Sequence, residues 1–373
     1  MILISIIITI LYLVLIGCFS FGFDKIKNFM LEDLISKTKF SIIIPFRNEA
    51  KNLPDLLKSI KSLNYPKHLF EVILVDDMSE DNSVKLIKEC KLNMKNISIL
   101  SNKKQTTSPK KECITLGINQ AKFEWIITTD ADCVLPKYWL DSYDELIQKT
   151  NPKCVVAPVS FKETGTFLNR FQILDLLSLQ GATIGGFGIK KPFLCNGANL
   201  AYTKALFLQV NGFEGNTNIA SGDDIFLLEK VLKTHPQELH YLKSEHAIIK
   251  TNSQQSWKAL TSQRVRWAAK TSSYNNWFGK LTGLIVLLMN AVIITDLLLL
   301  IFAVFNFKIW LYILVIKFSI DFLLIYKSSI FFNQKGVLIS FLFAFILYPF
   351  FSAYVAVISM FSNYQWKGRE FKK

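Results

Sequence analysis

Four clusters in this chain hold the side chains best suited to chemistry. Asp130-Ala131-Asp132 sets two carboxylates one residue apart. Such a pair can hold a hard divalent cation, Mg2+ or Mn2+, that bridges the phosphates of a nucleotide and neutralises a leaving diphosphate. The same spacing also recurs by chance and marks turns. Asp76-Asp77-Met78-Ser79 offers carboxylates that can accept hydrogen bonds from a base N–H or a ribose hydroxyl. With Asp81 and Asn82 it equally reads as the lead-in to a helix. Ser221-Gly222-Asp223-Asp224 precedes a helical run at 225–232. An acid there can deprotonate an attacking hydroxyl, or merely complement the helix dipole. Gln263-Arg264-Val265-Arg266-Trp267 joins arginine, whose planar fork suits diphosphate, to an indole face on which a sugar can stack. It also suits an amphipathic helix at the headgroup level of a membrane.

Alternating elements must position the first of these clusters. Apolar runs at 40–46, 70–75, 97–100 and 125–129 read as strands. Helical spacing occupies 52–63, 82–91 and 108–121, the last opening on a capping Ser108 with Pro109 at the first helical position. Strands separated by helices argue for a parallel sheet with crossover connections. Ligands bind such sheets at the carboxyl ends of the strands. Those ends carry Arg47-Asn48-Glu49, Asp76-Asp77 and Asp130-Ala131-Asp132, so three polar clusters converge on one rim.

Hydrophobic residues make up 51% of the 373, and they gather at the two ends of the chain. Residues 1–23 carry no charge, and Lys25 and Lys27 follow, which favours a cytosolic exit. A lipoprotein processing box at Leu15-Ile16-Gly17-Cys18 is the rival reading. It lacks a basic start and would export the middle block. Runs at 281–307, 309–326 and 337–361 read as about three further spans. Lys317 and Asp321, four apart, face one side of a helix and can pair. A net charge of +14 beside membrane spans points to anionic headgroups rather than nucleic acid. The six cysteines show no C-x-x-C spacing and read as reduced thiols. Residues 168–179 look helical and amphipathic, and Gly181, Gly185, Gly186 and Gly188 after them suggest a mobile acceptor loop or a plain connector. A cytosolic block with three later spans puts the tail outside, whereas the basic tail 362–373 favours inside; Pro349 makes the last run a re-entrant candidate.

Taken in order, the motifs resemble those of the family 2 glycosyltransferases, inverting enzymes with the GT-A fold. The match runs through Ser41-Ile-Ile-Ile-Pro-Phe-Arg-Asn-Glu49, Val75-Asp-Asp-Met-Ser79, Asp130-Ala-Asp132, Cys195-Asn-Gly-Ala-Asn-Leu-Ala-Tyr202, Gly222-Asp-Asp224 and Gln263-Arg-Val-Arg-Trp267. The resemblance implies an α/β nucleotide-sugar-binding domain with a mostly parallel sheet over about 39–270, flanked by transmembrane helices at 1–23 and 281–361. It implies that Pro45, Arg47 and Glu49 line the nucleotide pocket, with Asp77 on the base, Asp76 nearby and Lys110 near the nucleotide. Asp130 would meet the ribose or donor sugar, and Asp132 would hold the metal. Asp224, second of the pair with Asp223, would be the general base. Gln263, Arg266 and Trp267 would close over the diphosphate and acceptor. The Gln-x-x-Arg-Trp element is similar to that of cellulose, chitin and hyaluronan synthases and of ceramide glucosyltransferases.

This chain departs from the pattern in two places. The acid pair begins with Asp223 where the family often has Glu. Lys-Pro-Phe-Leu precedes Cys195 where polymerising synthases carry Phe-Phe-x-Gly. Together with the few spans, this weakens the processive-polymer reading and favours transfer of one sugar, or a few, to a lipid. The expectation is an enzyme that takes a sugar from a nucleotide-sugar, a UDP-sugar foremost, to a lipid or glycan at a bacterial inner membrane, with the catalytic block cytosolic and no nucleic-acid partner. A processive polysaccharide synthase, a polyprenyl-phosphate sugar synthase, a non-catalytic membrane assembly partner and a nucleotidyltransferase are the competing expectations.

Overall fold

A computed structural model describes residues 1–91, 94–103, 106–217, 219, 221–269, 274–361, 364–366 and 369–371. The chain forms two compact units that interleave in sequence. One comprises Lys27–Lys162 and Cys195–Asn252; the other comprises Met1–Ile26, Glu163–Leu194 and Ser253–Lys373.

The first unit is built on a seven-stranded sheet. Its strands are β1 (Phe40–Phe46), β2 (Phe70–Asp76), β3 (Ile97–Ser101), β4 (Trp125–Thr128), β5 (Cys154–Val156), β7 (Leu200–Thr203) and β8 (Leu239–Tyr241), in the order β3-β2-β1-β4-β7-β5-β8. Strands β1 to β4 run parallel, as the alternation of strand and helix requires. Strand β7 reverses direction between β4 and β5, and β8 lies parallel to β5. A separate parallel pair joins β6 (Val159–Phe161) to β9 (Ile249–Thr251). Helices α2 (Leu53–Lys61), α3 (Ser83–Lys91), α4 (Pro109–Gln120), α5 (Trp139–Thr150), α7 (Lys204–Gln209) and α8 (Asp223–Thr234) complete the unit.

Strand β1 is apolar on both faces because both faces are covered. Phe40, Ile42 and Ile44 pack in a core with Leu56, Trp139 and Tyr143. Ile43 points the other way, onto Gly117 of α4, where an added Cβ would lie 2.6 Å from its Cγ2. Full burial of such aliphatic side chains contributes roughly 1.5–3 kcal/mol each. Pro45 is tolerated in this central strand because the β4 ladder ends opposite Ile43, where Ile43 O accepts from Thr129 N at 3.2 Å.

Asn199 joins the layers of this unit. It is fully buried, and its Oδ1 accepts from Trp139 Nε1 and Tyr143 OH, both at 2.9 Å. Its Nδ2 donates to Pro158 O at 2.7 Å and Ala247 O at 2.8 Å. Such a group is worth burying only when it is satisfied.

The second unit is helical: α1 (Ile2–Lys25), α6 (Phe167–Gly188), α9 (Trp257–Ala269), α10 (Trp277–Ile301), α11 (Phe307–Phe331) and α12 (Phe341–Phe361). Four stretches among the described residues are long and apolar enough to cross a membrane: Ile2–Lys25, Trp277–Ile301, Phe307–Phe331 and Lys335–Phe361. The runs expected to span are therefore helices of spanning length, with α10 shifted earlier at both ends and α11 ending later than the hydropathy runs. Helix α12 continues unbroken through Pro349. Charges inside the bundle find partners, as a low-dielectric medium demands. Lys317 Nζ lies 2.6 Å from Asp321 Oδ2, and Tyr12 OH donates to Asp321 Oδ1 at 2.5 Å. Ser5 Oγ donates to Asp296 Oδ1 at 3.0 Å. The six cysteines are free thiols. Of the tail at 362–373, the backbone of 364–366 and 369–371 pairs antiparallel; its charged side chains lie outside the described residues.

Two local expectations are corrected. Residues 181–188 are not a loop or connector, because α6 runs to Gly188 and is buried on most of its surface rather than amphipathic. Its glycines let helices touch backbone to backbone. A Cβ on Gly185 would overlap Phe19 O of α1, and one on Gly188 would overlap Gly22 O. A run of small residues reads as a breaker in sequence and acts as a packing surface in a helix bundle. Ser108 does stand at the N-cap with Pro109 after it, yet its side chain makes no cap bond; its Oγ donates instead to Ile219 O.

This packing predicts a sharp contrast between glycines. Gly185→Ala should destabilise the protein by about 1–3 kcal/mol, since backbone must move to admit the methyl. Gly17, with nothing within 4 Å of its absent Cβ, should accept alanine without loss. Thermal unfolding of both variants in detergent checks this.

Candidate functional site

The rim at the strand ends is built by two interlocked loops and one clasp. After β1 the chain turns at Asn48, which takes φ of 52°; after β2 it turns at Met78, with φ of 59°. Arg47 Nη1 donates to Asp77 O at 2.8 Å and Met78 O at 2.5 Å, while Nη2 meets Glu80 Oε1 at 2.9 Å. Asn48 Oδ1 accepts from Glu80 N, and Ser79 Oγ accepts from Asn48 N. Glu49 is buried; its Oε2 accepts from Asn52 Nδ2 at 2.6 Å, and its backbone N–H donates to Ser83 Oγ. Asp76 Oδ1 accepts from Ser79 N at 3.0 Å, and both Asp76 and Asp77 are buried. Arg47 thus spends its fork on shaping the β2 loop that carries the two acids.

The clasp is Lys110, in the first turn of α4. Its Nζ lies 2.8 Å from Asp130 Oδ1 and 3.2 Å from Asp223 Oδ2. One ammonium therefore bridges the end of β4 and the start of α8. Burial opposes the charge on Lys110, but Asp130 and Asp223, with Asp224 behind them, outweigh it and hold the group well above the usual lysine range. The folded-state value being raised, the stabilisation it brings is complete below the ordinary lysine pKa and is lost only as pH climbs past the raised one.

Asp224 is oriented by backbone donors. Gly197 N donates to its Oδ2 at 3.1 Å, and Ile225 N donates to its Oδ1 at 2.8 Å. Gly197 is required by space: a Cβ there would lie 2.8 Å from Asp223 Oδ2. Its carbonyl accepts from Thr128 Oγ1 at 2.9 Å. Asp223 is buried, whereas Asp224 is half-exposed.

The acids suit a hard cation. Asp130 and Asp132 offer carboxylate oxygens, and Asp132 is half-exposed. Among the described residues no group of three or more His, Cys, Asp or Glu could enclose a metal ion. Mg2+ is commonly bound by one or two carboxylates and completes its shell with water and substrate phosphates; of the two here, Asp130 already meets Lys110. Cys133 is buried between these acids, and burial, then Asp132 and Asp130, push its thiol up.

Nine of the twelve other residues singled out from sequence are placed in this unit with Lys110: Pro45, Arg47, Glu49, Asp76, Asp77, Asp130, Asp132, Asp223 and Asp224. Gln263, Arg266 and Trp267 lie on α9 in the helical unit, each half-buried. Sequence reasoning passed over Gly197 and Asn199, though both sit in the quoted Cys195–Tyr202 motif. It also passed over Lys111, whose buried Nζ donates to Asn216 O at 2.7 Å and Ile219 O at 2.8 Å, tying α4 to the segment that delivers the acid pair. A buried lysine directly after another lysine gives no separate sequence signal.

Comparison with known proteins gives a consistent family. A glycosyl transferase family 2 model matches residues 41–207, and a glycosyl transferase family group 2 model matches 125–361. The poly-beta-1,6-N-acetyl-D-glucosamine synthase of Staphylococcus epidermidis is 25% identical over 240 residues, covering 61% of this chain and 53% of that protein. The undecaprenyl-phosphate 4-deoxy-4-formamido-L-arabinose transferase of Proteus mirabilis is 37% identical over 99 residues, 26% of this chain and 30% of that one. The chain thus spans about half the length, or less, of these curated relatives. Among solved structures, the mannosyltransferase PcManGT from Pyrobaculum calidifontis, in complex with GDP-Man and Mn2+, shares the fold with a TM-score of 0.57 at 14% identity, over 96% of this chain and 99% of that one.

Removing the clasp should leave Asp130 and Asp223 repelling each other. Lys110→Met should lower stability by about 1–3 kcal/mol at neutral pH. Thermal unfolding midpoints of variant and wild type at neutral pH test this; an unchanged midpoint speaks against the clasp.

Proposed function

The chain belongs to the glycosyl transferase family group 2, and on that footing we propose that it is an inverting membrane glycosyltransferase with a GT-A domain, moving a sugar from a nucleotide-sugar, a UDP-sugar foremost, to a hydroxyl of a membrane lipid or glycan. The observation that carries this reading is the set of acids gathered at the strand rim around one lysine. Asp130 and Asp223 share the Lys110 ammonium, Asp224 stands oriented beside them, and Asp76, with Asp77 directly after it, ends β2 on the other side of β1.

In this mechanism Pro45, Arg47, Glu49, Asp76 and Asp77 form the nucleotide side, with Asp77 accepting from the base. Lys110 holds Asp130 where the ribose or donor sugar comes to rest. Asp224 takes the proton from the acceptor hydroxyl, whose oxygen bonds to the anomeric carbon as the bond to the nucleotide diphosphate breaks on the opposite face. Configuration therefore inverts. Asp223, already paired to Lys110, keeps the local charge balanced while Asp224 gains its proton. Asp132 and Asp130 would hold a Mg2+ or Mn2+ ion, whose chemistry when bound is to neutralise the leaving diphosphate. Gln263 and Arg266 serve the diphosphate, and Trp267 offers a stacking face. Positioning and fixed charge supply most of the help. The apolar helices support a reaction at a membrane, in this reading a bacterial inner membrane with the sheet unit cytosolic, where nucleotide-sugars are found.

Processive synthesis of a polysaccharide is the second reading, favoured by the likeness to a poly-N-acetylglucosamine synthase. The likeness to an undecaprenyl-phosphate transferase keeps a polyprenyl-phosphate acceptor in view. A transfer assay with a panel of nucleotide-sugars and host lipid extract, with products analysed by mass, separates a single-sugar lipid from a long polymer. Absence of transfer with every donor would favour a non-catalytic assembly role.

Asp224→Asn should keep donor binding and lose about 10²–10⁴-fold in transfer. Wild-type transfer in that variant would remove Asp224 as the base. Asp132→Ala should abolish the metal dependence of donor binding; an unchanged response to added Mg2+ or Mn2+ in a titration would remove it from the metal site.

A further inference from the structure

The helical unit contains a buried ion pair that the chemistry above does not use. Asp175 lies on α6 and Arg264 on α9; they are 5% and 7% exposed. Arg264 Nε donates to Asp175 Oδ2 at 2.7 Å, and Nη2 lies 2.7 Å from the same oxygen. On another edge, Nη1 donates to Gln263 Oε1 at 2.5 Å. Its flat face covers Trp267, with the guanidinium carbon 4.1 Å from the ring centroid. One side chain thus meets an acid on a neighbouring helix and two members of the Gln-x-x-Arg-Trp element.

Helix α9 is held at this angle by aromatic packing as well. Phe171 of α6 lies 5.2 Å from Trp257 of α9 and 5.3 Å from Phe351 of α12, centroid to centroid. These contacts fix the helix but touch neither Gln263 nor Trp267. An ion pair taken out of water contributes little stability over a well-packed apolar pair. What it does supply is direction, because the guanidinium fork and plane accept partners only along set lines.

We propose that Arg264, clamped by Asp175, is the positioning residue of this element: it fixes the side chain of Gln263 and the ring of Trp267 relative to α6. The consequence for catalysis rests on the reading that Gln263 and Trp267 serve sugar transfer; the clamp itself does not. Arg264 acts through its neighbours, while Gln263 and Trp267 remain half-buried and able to meet a ligand.

The test uses the full chain in lipid nanodiscs. The Trp267 contribution to fluorescence is isolated by pairing each variant with its Trp267→Phe counterpart, and its quenching by acrylamide is measured. Asp175→Asn and Arg264→Met should each raise Trp267 quenching about twofold, and the double variant should exceed neither, because both act through one clamp. Arg264→Lys keeps the charge and the fold but lacks the plane, so it should shift quenching in the same direction. With UDP-N-acetylglucosamine as donor probe and lipid extract as acceptor, Asp175→Asn should lower kcat about tenfold while donor KM changes less than twofold, as expected when a transition-state contact alone is loosened. Unchanged Trp267 quenching in Asp175→Asn, even in a less stable protein, overturns the clamp in favour of simple packing. Additive effects in the double variant overturn it too. A responsive Trp267 in a protein that transfers no sugar upholds the clamp and counts instead against the transferase reading.

Discussion

Carboxylates gathered on one rim repel one another. Two unit charges about 4 Å apart at the effective dielectric of a protein surface interact by roughly 4 kcal/mol. Asp130, Asp132, Asp223 and Asp224 can share this edge because Lys110 stands among them, 2.8 Å from one acid and 3.2 Å from another. The acids come from chain segments far apart in sequence, so the lysine also joins the end of β4 to the beginning of α8. Around that ammonium the other contacts make sense. Gly197 has no side chain because an acid oxygen fills the space, and Asp224 is aimed by the glycine's own N–H.

The reversal of β7 is what brings that glycine to the acids. Parallel strands deliver their carboxyl ends to the rim; an antiparallel strand arrives there by its beginning. Thr128, last in β4, is opposite Leu200, first in β7. The turn at Gly197–Asn199 therefore lies beside the end of β4. Asn199 then anchors this turn downward, into Trp139 and Tyr143 of α5. Chemistry above and packing below are set by residues two apart.

Much of this was legible in the residues. Strands β1 to β4 announce themselves as short apolar runs, three of which lead into polar clusters with acids, and their helices by spacing and by Pro109. The acids of the rim could be named because a parallel sheet has a defined ligand edge. Beyond Thr129 the signal fades: β5 to β9 are three- and four-residue strands with no periodicity to detect. The glycines of α6 misled, because Gly181 to Gly188 break an isolated helix yet permit a packed one. Asn199 and Lys111 were invisible as well, since each acts through partners distant in sequence. The two interleaved units could not be read from hydropathy, which sees α6 as too polar for a span and says nothing of where it packs.

The contact between α1 and α6 has a consequence for how the protein is made. Helix α1 leaves the ribosome before α6, and it meets α6 through backbone atoms of Phe19 and Gly22. The complementary ridge, Gly185 and Gly188, is not synthesised until the first four strands have emerged. That surface must stay unmated in the meantime. Assembly of the helical unit therefore includes a delayed docking event, timed by translation of the intervening segment.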